Sequence, residues 1–108
     1  MPEVPRILAE RRAEIGALCA RFGVKRLELF GSAARGEFEP GASDYDFLVE
    51  LDADAPGSRA ERLIGLAEGL EALLGTHVDL VNPRYIRNPY FAAEVERSRV
   101  PLYAGSPA

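Results

Sequence analysis

Asp44-Tyr45-Asp46 runs straight into Phe47-Leu48-Val49-Glu50-Leu51, so two carboxylates spaced i and i+2 stand at the head of a β-forming run. On a strand such residues project from one face, about 6–7 Å apart at the backbone, close enough for both to share one cation or a pair. Tyr45 and Phe47 then face the other way. Lys25–Phe30 offers a partner: Leu27 and Leu29 alternate with Arg26 and Glu28, and the run ends at Gly31-Ser32. A strand from it would be half-buried and pair antiparallel with Tyr45–Leu51. A third run, His77-Val78-Asp79-Leu80-Val81, places a carboxylate between apolar neighbours. If that strand lies beside Tyr45–Leu51, Asp79 completes a triad with Asp44 and Asp46.

The remaining periodicity is helical. Between Pro5 and Phe22, Ile15, Leu18, Cys19 and Phe22 recur at helical spacing, and Gly23 follows as a stop. Ser58, with Glu61 three residues on, caps a helix whose stripe of Leu63, Leu66, Ala67, Leu70, Leu73 and Leu74 ends at Gly75. Asn82-Pro83 breaks the third strand, a last helix is predicted from Pro89 to Ser98 using Phe91 and Val95, and Val100–Tyr103 can form a short final strand. Glu37–Ser43, with its Pro-Gly pair, reads as loop, and Ser43 as a turn residue. The order α-β-β-α-β-α predicts an α+β fold, a small mixed β-sheet covered by helices. One domain spans 1–104, followed by a disordered tail, Gly105-Ser106-Pro107-Ala108.

With 108 residues, 47% hydrophobic, there is material for one core and not for a second substrate domain. The apolar runs fall far short of the ~20 residues that span a bilayer, and no basic-then-apolar leader opens the chain, so a cytoplasmic protein is expected. One cysteine, Cys19, and one histidine, His77, cannot build the Cys/His shell of a zinc site, so any metal is expected to be held by oxygen. Cys19 reads as core and His77 as structural or solvent-facing. The net charge of −4 argues against a module living on nucleic-acid phosphates, although Arg84–Phe91 interleaves cations with aromatics. Neither a Walker A lysine motif nor a Gly-x-Gly-x-x-Gly run occurs, which removes P-loop and dinucleotide-binding readings.

Three converging carboxylates repel one another without a cation, so a fold that gathers them is expected to need hard divalent ions, and Mg²⁺ with oxygen ligands fits. Two ions about 3.5–4 Å apart are what an in-line phosphoryl displacement uses. Gly31-Ser32 supplies an anion cradle: the glycine admits a phosphate close to the backbone, the serine adds a hydroxyl, and the turn through Ala33-Ala34-Arg35 can present N–H groups. Arg35 either contacts phosphate or pins the loop to a nearby carboxylate.

Leu29-Phe30-Gly31-Ser32-Ala33-Ala34-Arg35-Gly36, Ser43-Asp44-Tyr45-Asp46-Phe47-Leu48-Val49 and His77-Val78-Asp79-Leu80-Val81 together resemble the minimal nucleotidyltransferase (MNT) family of the polymerase beta-like nucleotidyltransferase superfamily. The resemblance extends from the first helix to Pro101-Leu102-Tyr103. It implies Mg²⁺-dependent transfer of AMP from ATP to a hydroxyl, with Asp44, Asp46 and Asp79 as catalytic metal ligands and Gly31, Ser32 and Arg35 on the nucleotide. In the antitoxin branch, the acceptor is a tyrosine of a cognate HEPN-domain toxin, a helical RNase, so nucleic acid would be met only through the partner. The eleven residues between Ser32 and Asp44 are one more than is common in that branch, a difference a loop absorbs cheaply. Two alternatives stand beside this: transfer to a small hydroxylated molecule such as an aminoglycoside, and a non-catalytic antitoxin that neutralises its partner sterically.

Overall fold

The computed structural model describes residues 3–37 and 44–105, so most of the expected Glu37–Ser43 loop, including Ser43, and residues 106–108 of the tail lie outside it. Two short helices, α1 (Arg6–Glu10) and α2 (Arg12–Arg21), lead into β1 (Val24–Phe30) and β2 (Tyr45–Leu51). Then follow α3 (Arg59–Leu74), β3 (Val78–Val81), a 3₁₀ turn (Pro83–Tyr85), α4 (Pro89–Ser98) and β4 (Val100–Ala104). The expected mixed sheet is present, with strand order β3-β2-β1-β4. β1 pairs antiparallel with β2 and β4, while β2 and β3 run parallel. A parallel neighbour needs a crossover, and α3 is it.

Strand alternation divides the sheet into two unlike faces. Leu27, Leu29, Tyr45, Phe47 and Val49 pack with Ile15 and Cys19 of α2 and Leu66 and Leu70 of α3 in the main core. Phe47, Leu27, Leu29, Leu66, Leu70 and Cys19 are fully buried there, and burial pushes the Cys19 thiol up to about 12, so it stays protonated and inert. On the other face Val95 of α4 packs with Phe30 and Leu48 in a smaller cluster flanked by Val81 and Ile86, with Phe91 edge-on to Phe30 at 5.8 Å between ring centroids. Glycine in a helix interior costs about 1 kcal/mol relative to alanine. Gly65 and Gly69 of α3 return something for it: a Cβ would lie 2.3 Å from the Phe22 ring at the first and 2.7 Å from Leu18 at the second. Their bare backbone lets α2 and α3 approach over the sheet.

The local signals act as expected on α3, where Ser58 Oγ accepts the Glu61 N–H at 3.1 Å and Gly75 closes the helix at φ +71°. One expectation needs correction. The Pro5–Phe22 segment is not one helix; it breaks at Arg11, whose ψ of 11° leaves the helical range between α1 and α2. Leu8 is completely buried, and the break lets α1 turn it into the core. Gly105 donates its N–H to the Lys25 carbonyl at 2.7 Å.

Candidate active site

The half-covered face of the sheet gathers the expected carboxylates. Phe30 is the register partner of Asp46 in the antiparallel pair, and Asp46 is in turn opposite Asp79 in the parallel one. The end of β1, the start of β2 and the middle of β3 thus converge, with Asp44 one position before β2 on the same face as Asp46. Asp44 and Asp79 are exposed and Asp46 is half-buried.

Asp46 carries the electrostatic load. Burial comes first, followed by the carboxylates of Asp79 and Asp44 and a hydrogen bond with Asp79. Together they raise its pKa from 3.8 to about 6, against the pull of Arg35. Two hydrogen-bonded carboxyls must share a proton, and a cation relieves the same repulsion. Gly31 occupies the remaining side of Asp46. At φ +79° it holds a conformation that glycine adopts without strain, and a Cβ there would lie 2.7 Å from Asp46 Oδ2. A side chain would therefore fill the space in front of the carboxylate.

Oxygen donors in this number suit a hard divalent ion: three carboxylates, one of them destabilised as an anion, beside an opening kept clear by a glycine. The residues present fit Mg²⁺. His77 stands at the rim of these carboxylates. Ligand atoms of Asp44, His77 and Asp79 lie within 4.8 Å of one another, with His77 Nε2 3.3 Å from Asp79 Oδ1. His77 Nδ1 is 2.8 Å from Glu71. Desolvation is the largest single influence on His77 and lowers its pKa, but the carboxylates of Asp44, Asp79 and Glu71 together outweigh it, so the net shift is upward.

The Gly31-Ser32 turn is clamped by α4. Gly31 donates its N–H to Ser98 Oγ at 2.9 Å, and the Ser98 hydroxyl donates to the Glu94 carbonyl at 2.9 Å. Ser98 is completely buried. The Glu94 carboxylate pairs with Arg35 from the other end of the turn and with Arg97 at 2.7 Å. Arg35 also meets Glu37 at 3.4 Å. The Arg35 guanidinium is thus held by two carboxylates. Ser32 is half-buried and its carbonyl accepts the N–H groups of Arg35 (3.2 Å) and Glu37 (2.8 Å).

Sequence reasoning missed Ser98, Glu94, His77 and Glu71. A serine in the last turn of a helix reads as surface, and only its spacing of four from Glu94 hinted at back-bonding to that carbonyl. Glu71 sits on α3, six residues before His77, and no local pattern links them.

A family model described as a nucleotidyltransferase domain matches residues 13–102. Protein adenylyltransferase MntA of Thermococcus cleftensis is 42% identical over 81 residues, spanning 75% of each chain. The solved structure of a candidate minimal nucleotidyltransferase is 38% identical with a TM-score of 0.70, covering 88% of this chain and 92% of that one. A toxin–antitoxin structure with AMP-PNP is 25% identical with a TM-score of 0.64, covering 87% of this chain and 73% of that one. The chain belongs to the nucleotidyltransferase domain family.

Proposed function

We propose that this chain is a protein adenylyltransferase that moves AMP from ATP, with Mg²⁺, onto a tyrosine hydroxyl of a HEPN-domain toxin, which it neutralises as antitoxin. The observation that carries the reading is Asp46, destabilised as an anion between Asp79, Asp44 and the open side of Gly31. Supporting it are the name of the Thermococcus relative, a protein adenylyltransferase, and the likeness to a toxin–antitoxin structure with an ATP analogue.

In this reading Asp44, Asp46 and Asp79 hold the ions. Bound there, divalent cations would polarise the acceptor hydroxyl and neutralise the phosphate charge that develops during displacement. Gly31 leaves room for the triphosphate in front of Asp46, and the Ser32 hydroxyl donates to a phosphate oxygen. Arg35, Gly36 and Glu37 commit their N–H groups inside the turn and Ala33 and Ala34 are buried in the core, so Ser32 is the residue of the turn placed to meet an anion. Arg35 acts by position: tied to Glu94 and Glu37, it holds the turn and lends positive potential to Asp46. The acceptor oxygen forms a bond to the α-phosphorus, the bond to the β-phosphate oxygen breaks, and pyrophosphate leaves. The hydroxyl proton passes to a carboxylate of the cluster.

Incubating the purified chain with labelled ATP, Mg²⁺ and a HEPN-domain partner tests this. Intact mass of the partner is expected to rise by whole AMP units, on tyrosine. Label appearing only on this chain, on a sugar or on an RNA end refutes the acceptor assignment, and no transfer to any acceptor refutes the reading altogether.

A further inference from the structure

We propose that His77 is a nitrogen ligand of this ion site and that it shifts the site's preference from Mg²⁺ toward a first-row transition ion such as Mn²⁺. The inference rests on the reading that the carboxylate cluster holds an ion, and extends it to a residue outside the triad.

The backbone puts His77 in place first. Its carbonyl accepts the Tyr45 N–H at 3.2 Å, so the residue before β3 is tied to the residue after Asp44. The ring is then oriented by Glu71 of α3. Glu71 Oε2 lies 2.8 Å from His77 Nδ1 and accepts the Val78 N–H at 3.2 Å, so this carboxylate is anchored from two sides. With Nδ1 held by a carboxylate, Nε2 is the ring nitrogen turned to the cluster, the orientation in which metal-binding histidines are held by a second partner.

Nε2 faces the carboxylates. Nε2 is 3.3 Å from Asp79 Oδ1, and donor atoms of Asp44, His77 and Asp79 fall within 4.8 Å of one another. Donors about 2.0–2.2 Å from a common ion are about 3 Å apart when adjacent and about 4.2 Å when opposite, so the three need only small rotations to close on one cation. Mg²⁺ strongly favours oxygen and dehydrates reluctantly, whereas imidazole suits first-row transition ions. A site of two carboxylates and one imidazole therefore discriminates by donor type.

Pulsed electron paramagnetic resonance of Mn²⁺ on the tag-free, nucleotide-free chain tests this directly. His77 is the one histidine of the sequence, so imidazole ¹⁴N coupling to the bound ion can come from nowhere else. We expect that coupling in the wild type and its loss in His77→Gln, with Mn²⁺ affinity falling about tenfold or more and Mg²⁺ affinity nearly unchanged. A wild type that binds Mn²⁺ without ¹⁴N coupling overturns the role of His77 and leaves the carboxylate site standing. A wild type that binds no Mn²⁺ overturns both. Glu71→Gln keeps an acceptor for the Val78 N–H, and is expected to weaken the coupling without abolishing it; unchanged coupling would overturn Glu71 as the orienting group. Because the readout is spectroscopic, failure of AMP transfer in a separate assay does not decide it.

Discussion

Replacing Asp46 by asparagine in chelator should raise the melting temperature at neutral pH, and the gain should disappear on acidification. The folded site raises the Asp46 pKa from 3.8 to about 6 through burial and then Asp79 and Asp44. The folded state thus binds this proton more tightly than the unfolded chain does, so ionising Asp46 destabilises the fold. That cost is absent below about pH 4, grows as pH rises through about 6, and is constant above. Two pKa units correspond to about 3 kcal/mol. Asp46 is only half-buried, and solvent screening reduces the effect to about 1–1.5 kcal/mol. For a domain of this size each kcal/mol moves the melting temperature by about 4–8 °C, so Asp46→Asn should melt roughly 4–12 °C above wild type at pH 7.5. At pH 4 the two should converge. Scanning calorimetry in chelator across this range measures it, and Asp44→Asn, at an exposed position, should gain less. A difference independent of pH would show that the amide merely forms a better hydrogen bond with Asp79. A lower melting temperature for the variant at pH 7.5 would refute the crowding argument.

The same Asp46→Asn chain, assayed with Mg²⁺ and ATP, should lose AMP transfer by at least ~100-fold while remaining folded; transfer near the wild-type rate would remove Asp46 from the machinery. Gly31→Ala forces an L-residue to φ +79° and a Cβ to 2.7 Å from Asp46 Oδ2, so it should cost roughly 1–3 kcal/mol in denaturant melts and depress transfer; wild-type behaviour in both would show that the turn relaxes freely. Ser98→Ala leaves the Gly31 N–H without its acceptor in a buried position, and urea unfolding should show a loss of about 1–3 kcal/mol.

The triad was legible because each of its parts has a local signature. Asp-x-Asp states its own geometry once the strand is recognised, and the alternation of β1 and the apolar run of β2 identify the strands. Asp79 required one further step, the adjacency of β2 and β3, and the Asp46–Asp79 register pair supplies it. Ser58 marked the start of α3 and Pro89 that of α4, while the Asn88 cap, whose Oδ1 accepts the N–H groups of Tyr90 (2.8 Å) and Phe91 (3.2 Å), was not read from the sequence. The break at Arg11 was not legible, because Leu8, Ile15 and Cys19 fit one continuous helical stripe and no proline or glycine stands at Arg11 or beside it. Its cause is the packing of Leu8. His77 was invisible as a site residue for a similar reason, since what turns its ring is Glu71 on a different element. Likewise the Asp46 pKa depends on how α4 and the sheet exclude water, which spacing does not encode.

β3 is four residues long and stands at the end of the sheet, bonded to β2 alone among the described strands. It nevertheless carries Asp79, and His77 immediately precedes it. The β2-β1-β4 antiparallel ribbon and its ends hold Asp44, Asp46 and Gly31 on their own, so detaching this one short strand would divide the cluster while most of the core stayed packed. The lifetime of the assembled site is then set by a local opening with a free energy below that of global unfolding. Amide protons of Asp79 and Val81, which face β2, would report that opening by hydrogen exchange, and an ion bridging Asp46 and Asp79 would fasten the strand to its neighbour like a rivet, making the edge of the sheet the most ligand-sensitive part of the molecule.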